Sequence, residues 1–289
     1  MRRNPRELLL TDVERRTALH DSIGLAGVDA DAVGALASVS RRASYAPDRV
    51  LVHAGEPRTS VQILLSGDLQ VMRAGRVWPH ALVRPYVDLF WLARDSMPLE
   101  VKTTNGAEVL ELPVEALEEI LEEHFSTSLA FMRLLATNLL TTPRWAATTP
   151  MRAKVSGARL TDRLAALQEG LPFARGHVDA LMQLEEEAAE LQLDDGSALW
   201  PAGEPVRSLV VPLRGAANVA ASDELAGIGG IELLAGAARM TPLEASRPWS
   251  ALRITEASLI DVLEDHHALT RDLIAMLAAS LIRGIEPPR

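Results

Sequence analysis

The sequence predicts an α+β protein built from two copies of one domain, each a set of short strands flanked by helices, and three observations carry that expectation. The tetrapeptide Ala54-Gly55-Glu56-Pro57 returns as Ala202-Gly203-Glu204-Pro205, 148 places on. The same offset aligns Asp31-Ala32 with Asp179-Ala180, Leu36 with Leu184, Leu51 with Leu199, Ser60 with Ser208, Leu65 with Leu213 and Gly67 with Gly215. Farther along the offset is 142, where Leu110, Leu117 and Leu121 meet Leu252, Leu259 and Leu263, and Glu122 with His124 meets Glu264 with His266. A fixed spacing over such a length marks a duplicated unit, here with the first copy a few residues longer in its middle. Within each copy the hydrophobic pattern moves from helical spacing to short β-branched runs and back.

Taken in order, residues 7–40 read as helices, with Leu8, Val13 and Leu19 loosely periodic and Asp29 or Asp31 able to cap the apolar run from Ala32 to Ala37. From Ala43 to Met72, Val50-Leu51-Val52 and Val61-Gln62-Ile63-Leu64-Leu65 alternate with Pro47-Asp48, Gly55-Glu56-Pro57 and Ser66-Gly67-Asp68, the signature of short strands joined by tight turns. Gly55 and Gly67 are expected in backbone conformations that other residues avoid. A last strand is expected over 107–113. A helix over 114–123 follows, and then a second over 125–140 whose stripe of Leu129, Met132, Leu135, Ala136 and Leu139 is continuous. Pro143 and Pro150 bias their preceding residues toward extended geometry, which places a linker at 143–156 between a first domain of 1–142 and a second of 157–289. The second copy repeats the order: helices to Glu190, strands from Leu191 to Val219, a strand near 250–254 and helices to Leu281.

Composition narrows the function classes. At 289 residues and 48% hydrophobic, the chain is long enough for two packed cores. It has no cysteine, so neither disulfides nor thiolate metal sites contribute, which suits a reducing compartment such as the cytoplasm. No membrane span and no lipidation motif is visible. The net charge of −10 repels phosphate polymers, and no concentrated basic helix offsets it.

The phrase from Tyr45 to Pro57, Tyr-Ala-Pro-Asp-Arg-Val-Leu-Val-His-Ala-Gly-Glu-Pro, followed by Val61-Gln-Ile-Leu-Leu-Ser-Gly67, resembles the opening of the cyclic-nucleotide-binding domain, once per copy. The resemblance implies two tandem β-roll (jelly-roll-like) domains, each flanked by N- and C-terminal helices. It implies a ligand cassette as well, a short helix inside the roll. In that family backbone N–H groups beside a glycine face the cyclic phosphate, a glutamate accepts the ribose 2′-hydroxyl, and an arginine pairs with the phosphate oxygens.

Aligned by its proline, the first copy puts Pro98 at the family's proline, Leu99 at the arginine and Leu89-Phe90 at the Gly-Glu pair. All three key positions are apolar, and losing these contacts costs on the order of 3–6 kcal/mol. The expectation is a degenerate pocket in the first domain, floored by Phe90-Trp91. Those aromatics fill a dead pocket or, on the alternative reading, form a partner-binding patch. The second copy keeps more of the cassette: Gly229 stands at the family's glycine and Arg239 at its arginine. Gly230 takes the place of the ribose glutamate, with Glu232 two positions on, and Pro242 takes the place of a threonine. Weak ligand contacts are therefore placed on Gly229, Gly230, Glu232 and Arg239. The competing reading makes Gly227, Gly229 and Gly230 a simple turn and Arg239 a solvated surface residue.

Other candidates yield no chemistry. His266 and His267 are adjacent on a helix and project about 100° apart, a poor spacing for one metal ion, so a structural role for His124 and His266 near helix ends is expected. The run Glu185-Glu186-Glu187 is a solvated helix face. No nucleophile elbow, zinc-protease motif or P-loop occurs, so neither catalytic nor metal-binding residues are assigned. The sequence thus leads to a non-catalytic, bacterial-type regulatory or scaffold protein that needs no cofactor and acts through protein partners without DNA or membrane binding. No room remains after Leu281 for a helix-turn-helix, and the C-terminal helices of each domain could form a homo-oligomeric or interdomain seam. The alternative is a sensor binding cyclic AMP, cyclic GMP or a cyclic dinucleotide in the second domain.

Overall fold

The computed structural model describes residues 12–23, 28–56, 58–73, 76–77, 89–94, 99–142, 145, 148–152, 159–194, 199–200, 202–214, 216–220, 222–239 and 248–285. These divide between Leu134 and Leu135 into two compact units, Ile285 grouping with the first. Both are helix-flanked antiparallel sheets, the α+β class expected.

The first unit begins with α1 (Asp12–Ile23) and α2 (Ala30–Val39). Asp29 is the N-cap of α2, its carboxylate accepting from the Ala32 N–H at 2.7 Å, and Ala32, Leu36 and Ala37 form the buried face. The hydroxyl of Ser126 also donates to Asp29; this bond, followed by that from Ala32, holds its carboxyl below the ordinary value. Strands β1 (Arg41–Tyr45), β2 (Val50–Val52), β3 (Ser60–Arg73) and β4 (Arg76–Val77) follow, then the short α3 (Leu89–Leu92) and β5 (Leu99–Pro113). The sheet order is β1-β5-β3-β4, with β2 also on β5, and every pairing is antiparallel.

Strand β5 starts eight residues before the expected Ala107 because it follows β3 along its whole length, from Arg73↔Leu99 to Ser60↔Pro113. Two register shifts, between Leu64 and Ser66 and between Gly67 and Leu69, allow this. At the second, Gly67 has φ +88, and a Cβ there would lie 2.2 Å from the Gly106 carbonyl oxygen. Only glycine fits this close approach of two strands. Val61, Ile63, Val71, Val101, Val109, Leu110 and Leu112 supply the core.

Helices α4 (Val114–Glu123) and α5 (Phe125–Leu140) have the expected bounds, and the division between units falls inside α5. Met132, Leu135, Ala136 and Leu139 of its apolar stripe are buried. The stretch expected as a linker contains β6 (Thr148–Arg152), which pairs with β9 (Ala216–Ala220) and so adds a strand to the second unit. An extended conformation before Pro150 is compatible with such pairing.

The second unit continues with α6 (Leu160–Gly170), a 3-10 turn (Pro172–Ala174), α7 (Val178–Glu187), β7 (Ala189–Leu193) and β8 (Ser208–Arg214). After β9 come α8 (Asp223–Ala226), α9 (Gly230–Ala235), β10 (Trp249–Thr255), α10 (Glu256–Asp265) and α11 (His267–Ile285). Strand β10 lies between β7 and β8.

The duplication is visible in backbone detail. Gly55 and Gly203, in the repeated tetrapeptide, have φ of +82 and +86. His124 and His266 are the C-caps of α4 and α10, their backbone N–H groups donating to the carbonyls of Ile120 and Val262, which places both at helix ends as expected. Just beyond, the Ser128 hydroxyl donates to the Leu121 carbonyl and the Thr270 hydroxyl to the Leu263 carbonyl, equivalent bonds at equivalent sites. The same turn chemistry therefore joins the last two helices of each copy.

Candidate functional site: a buried arginine between two carboxylates

The cassette of the second unit is built on the repeated tetrapeptide. Gly203 N–H donates to the Arg239 carbonyl at 3.0 Å, Arg239 N–H donates to the Glu204 carbonyl at 3.4 Å, and Val206 N–H donates to the Ala237 carbonyl at 3.3 Å. These bonds fix the backbone on which the Arg239 side chain is mounted. Opposite it, Gly227 and Gly229 turn the chain with φ of +75 and +81 between α8 and α9. Both reciprocal N–H to carbonyl bonds between Val210 and Ile228 hold the turn against β8. A Cβ on Gly229 would lie 3.0 Å from the Trp200 ring and 3.1 Å from Val206, a tight contact added to a backbone conformation that favours glycine.

Arg239 is only 3% exposed. Its Nη1 donates to Asp223 Oδ1 at 2.9 Å and to Glu232 Oε1 at 3.0 Å, and its Nη2 donates to Asp223 Oδ2 at 2.7 Å. The Asp223 contact is thus the two-pronged arrangement that suits a planar guanidinium. Asp223 Oδ1 also accepts from the Gly229 N–H at 3.0 Å. The guanidinium carbon lies 5.6 Å from the Trp200 ring centroid, within cation–π range.

Asp223 and Glu232 share the Arg239 guanidinium, and Glu232 Oε2 has no hydrogen-bond partner among the described residues. Burial first, then the charge of Asp223, push the Glu232 carboxyl above its ordinary value, and the attraction of Arg239 offsets this only in part. Burial works against the Arg239 charge, but the hydrogen bonds and charge of Asp223, followed by the charge of Glu232, outweigh it and hold the guanidinium above its ordinary value.

The structure brings together Gly229, Glu232 and Arg239 of the sequence-derived site, and Gly230 opens α9 beside them, its N–H donating to the Gly227 carbonyl. Gly227 and Gly229 do make a turn, as one sequence reading has it. The solvated-surface reading of Arg239 is corrected: the side chain is enclosed because two carboxylates compensate its charge. Glu232 turns toward Arg239, and both its charge and its unpartnered oxygen are buried. Sequence reasoning missed Asp223 and Trp200. Asp223 reads as an ordinary first-turn acid of a short helix, and nothing local connects Trp200 to Arg239.

In the first unit, Leu89 and Phe90 belong to the backbone of α3 and Leu99 opens β5, while the side chains of all three lie outside the described residues. Of the neighbouring residues, Leu92 is buried and Trp91 half-buried. Pro98 and Pro242 likewise lie outside the described residues. Among the described residues, no cluster of histidines and acids has the makings of a metal site, and no helix is long and apolar enough to cross a membrane.

The site is therefore an internally paired ionic cluster within a helix-flanked antiparallel sheet. No protein-family model matches the sequence, and the curated proteins contain no match. Among solved structures, the chain is similar to the regulatory domain of Toxoplasma gondii PKA with cAMP, at 12% identity and TM-score 0.33, over 93% of this chain and 97% of that one. It is similar also to the regulatory subunit of a cAMP-independent protein kinase A from Trypanosoma brucei, at 13% identity and TM-score 0.35, over 90% and 91%. A cyclic nucleotide-binding-like protein from Brucella abortus matches 36% of this chain and 98% of its own, at 20% identity and TM-score 0.30.

Proposed function

We propose that this chain is a non-catalytic regulatory or scaffold protein of two degenerate cyclic-nucleotide-binding-like domains, 1–142 and 157–289, acting through protein–protein contacts. The observation that supports this reading is the commitment of Arg239: both terminal nitrogens are bonded to Asp223 and Glu232, and the side chain, its unpartnered Nε included, is buried. A ligand would have to part a buried ion pair to reach the guanidinium, and breaking such a pair costs about 3–5 kcal/mol. The first copy lacks the charged positions by sequence, with Leu99 where an arginine is needed and Leu89-Phe90 where Gly-Glu is needed.

The second reading, a sensor of cyclic AMP, cyclic GMP or a cyclic dinucleotide in the second domain, is favoured by the convergence of the Gly229 N–H and the Arg239 guanidinium on a single anionic group. Calorimetric titration of the intact protein with all three ligand types separates the two. The regulatory reading expects no heat of binding, and Leu99→Arg is expected to add none. Micromolar binding by the unaltered protein would replace the regulatory reading with the sensor.

A further inference from the structure

We propose that the Asp223 carboxylate is a built-in anionic ligand of the second unit, occupying the place that a small external anion would take between the Gly229 N–H and the Arg239 guanidinium. The proposal deepens the reading of this unit as one that works without a nucleotide, and it rests on that reading. Three donors converge on Asp223: Gly229 N at 3.0 Å and Nη1 at 2.9 Å on one oxygen, and Nη2 at 2.7 Å on the other. They come from separate parts of the chain. Arg239 is pinned through its backbone by Gly203 and Glu204, and Gly229 sits in a left-handed turn against Trp200. Arg239 is thus positioned by the repeated tetrapeptide, and the Gly229 turn is held against β8 through the Val210–Ile228 bonds.

Glu232 provides the internal comparison. It lies beside the same guanidinium with the same charge, yet it receives one bond from Nη1 and its second oxygen receives none. The donors are aimed at Asp223. Its side chain is completely enclosed, at 0% exposure. A buried carboxylate persists only where its charge and its lone pairs are met, and two N–H groups of a guanidinium and one of the backbone contribute to this at Asp223. Tethering then favours Asp223 over any dissolved competitor, because an attached group acts at a high effective concentration. In this arrangement the Asp223 carboxylate takes the place of an external anion.

Removing the tethered carboxylate should turn the cradle into a site for a small monocarboxylate. In the full chain, Asp223→Gly deletes the side chain and Asp223→Asn keeps its shape without its charge. Melting temperatures are measured in sodium formate, sodium acetate and sodium chloride at equal ionic strength. Asp223→Gly is expected to melt well below the unaltered protein and to regain several degrees in formate and less in acetate, with no such gain in chloride. The unaltered protein and Asp223→Asn should respond alike to all three salts, and Asp223→Asn should melt below the unaltered protein. Adding Arg239→Met to Asp223→Gly should abolish the formate effect.

Equal gains in formate and chloride would mean an adventitious ion only and would overturn the proposal, as would a folded Asp223→Gly with no formate response. If Asp223→Gly does not fold, Asp223→Asn decides: a melting temperature equal to that of the unaltered protein shows that no anion is needed and overturns the proposal. These outcomes are independent of cyclic nucleotide titration. Micromolar nucleotide binding by the unaltered protein would fail the regulatory reading, whereas a missing formate response fails only the built-in ligand.

Discussion

Replacing Arg239 with methionine keeps most of the volume of the side-chain stem and removes its charge, so it isolates what the guanidinium contributes. The structure sets the magnitude. Arg239 gives three charge-assisted hydrogen bonds to Asp223 and Glu232, whose side chains are 0% and 8% exposed, while its own is 4% exposed. Without it Asp223 and Glu232, both enclosed, lose the guanidinium they are bonded to, and removing one partner of a buried pair costs about 3–5 kcal/mol. For a unit of this size that corresponds to a fall in melting temperature on the order of 6–20 °C. Glu232 can relieve part of the repulsion by taking up a proton, so the loss should be smaller in mild acid than in mild base. Calorimetric melting of the intact protein over a pH series measures both effects. Asp223→Asn alone and together with Arg239→Met completes a double-mutant cycle, and the coupling should be a large fraction of the single-variant cost. A loss below about 1 kcal/mol in mild base, in the range of an ordinary substitution, would refute the reasoning that this cluster holds the unit together.

Three further outcomes are expected. Because the Glu232 carboxyl is raised on folding, the folded state binds its proton more tightly than the unfolded chain, and stability falls as pH rises from the ordinary glutamate value through the raised one. Glu232→Gln retains an acceptor for Nη1 and removes this slope, so urea unfolding over a pH series should show the variant gaining on the unaltered protein as pH rises; a difference independent of pH would count against a raised value. Gly229→Ala must adopt a φ near +81 and press on Trp200 and Val206, and is expected to cost about 1–3 kcal/mol, read as a lowered urea midpoint. Leu135→Asp places a carboxylate where a fully buried leucine stands, and the expected result is loss of the cooperative melting transition or a change in mass by light scattering. A variant with unchanged melting and mass would show that this stripe is not a packing surface.

What the sequence determined by itself is what depends on neighbours a few residues apart. The duplication, the bounds of α4 and α5, an acidic cap at Asp29 or Asp31 and the left-handed glycines Gly55 and Gly67 follow from local spacing and backbone sterics, the structure choosing Asp29. The start of β5 did not follow, because where a strand begins depends on how far its partner β3 extends and on bulges that realign the two. Nor did the strand at 148–152, since prolines mark extended backbone without saying whether another strand lies alongside. The cassette shows the same division more sharply. Sequence placed Gly229, Glu232 and Arg239 in one motif, but whether an arginine meets water, a ligand or a carboxylate is set by what the folded chain encloses with it. Asp223 and Trp200 come from other segments, and only the tertiary structure closes them around the guanidinium, because the energy of a charge depends on its distance in space to the groups that solvate or oppose it.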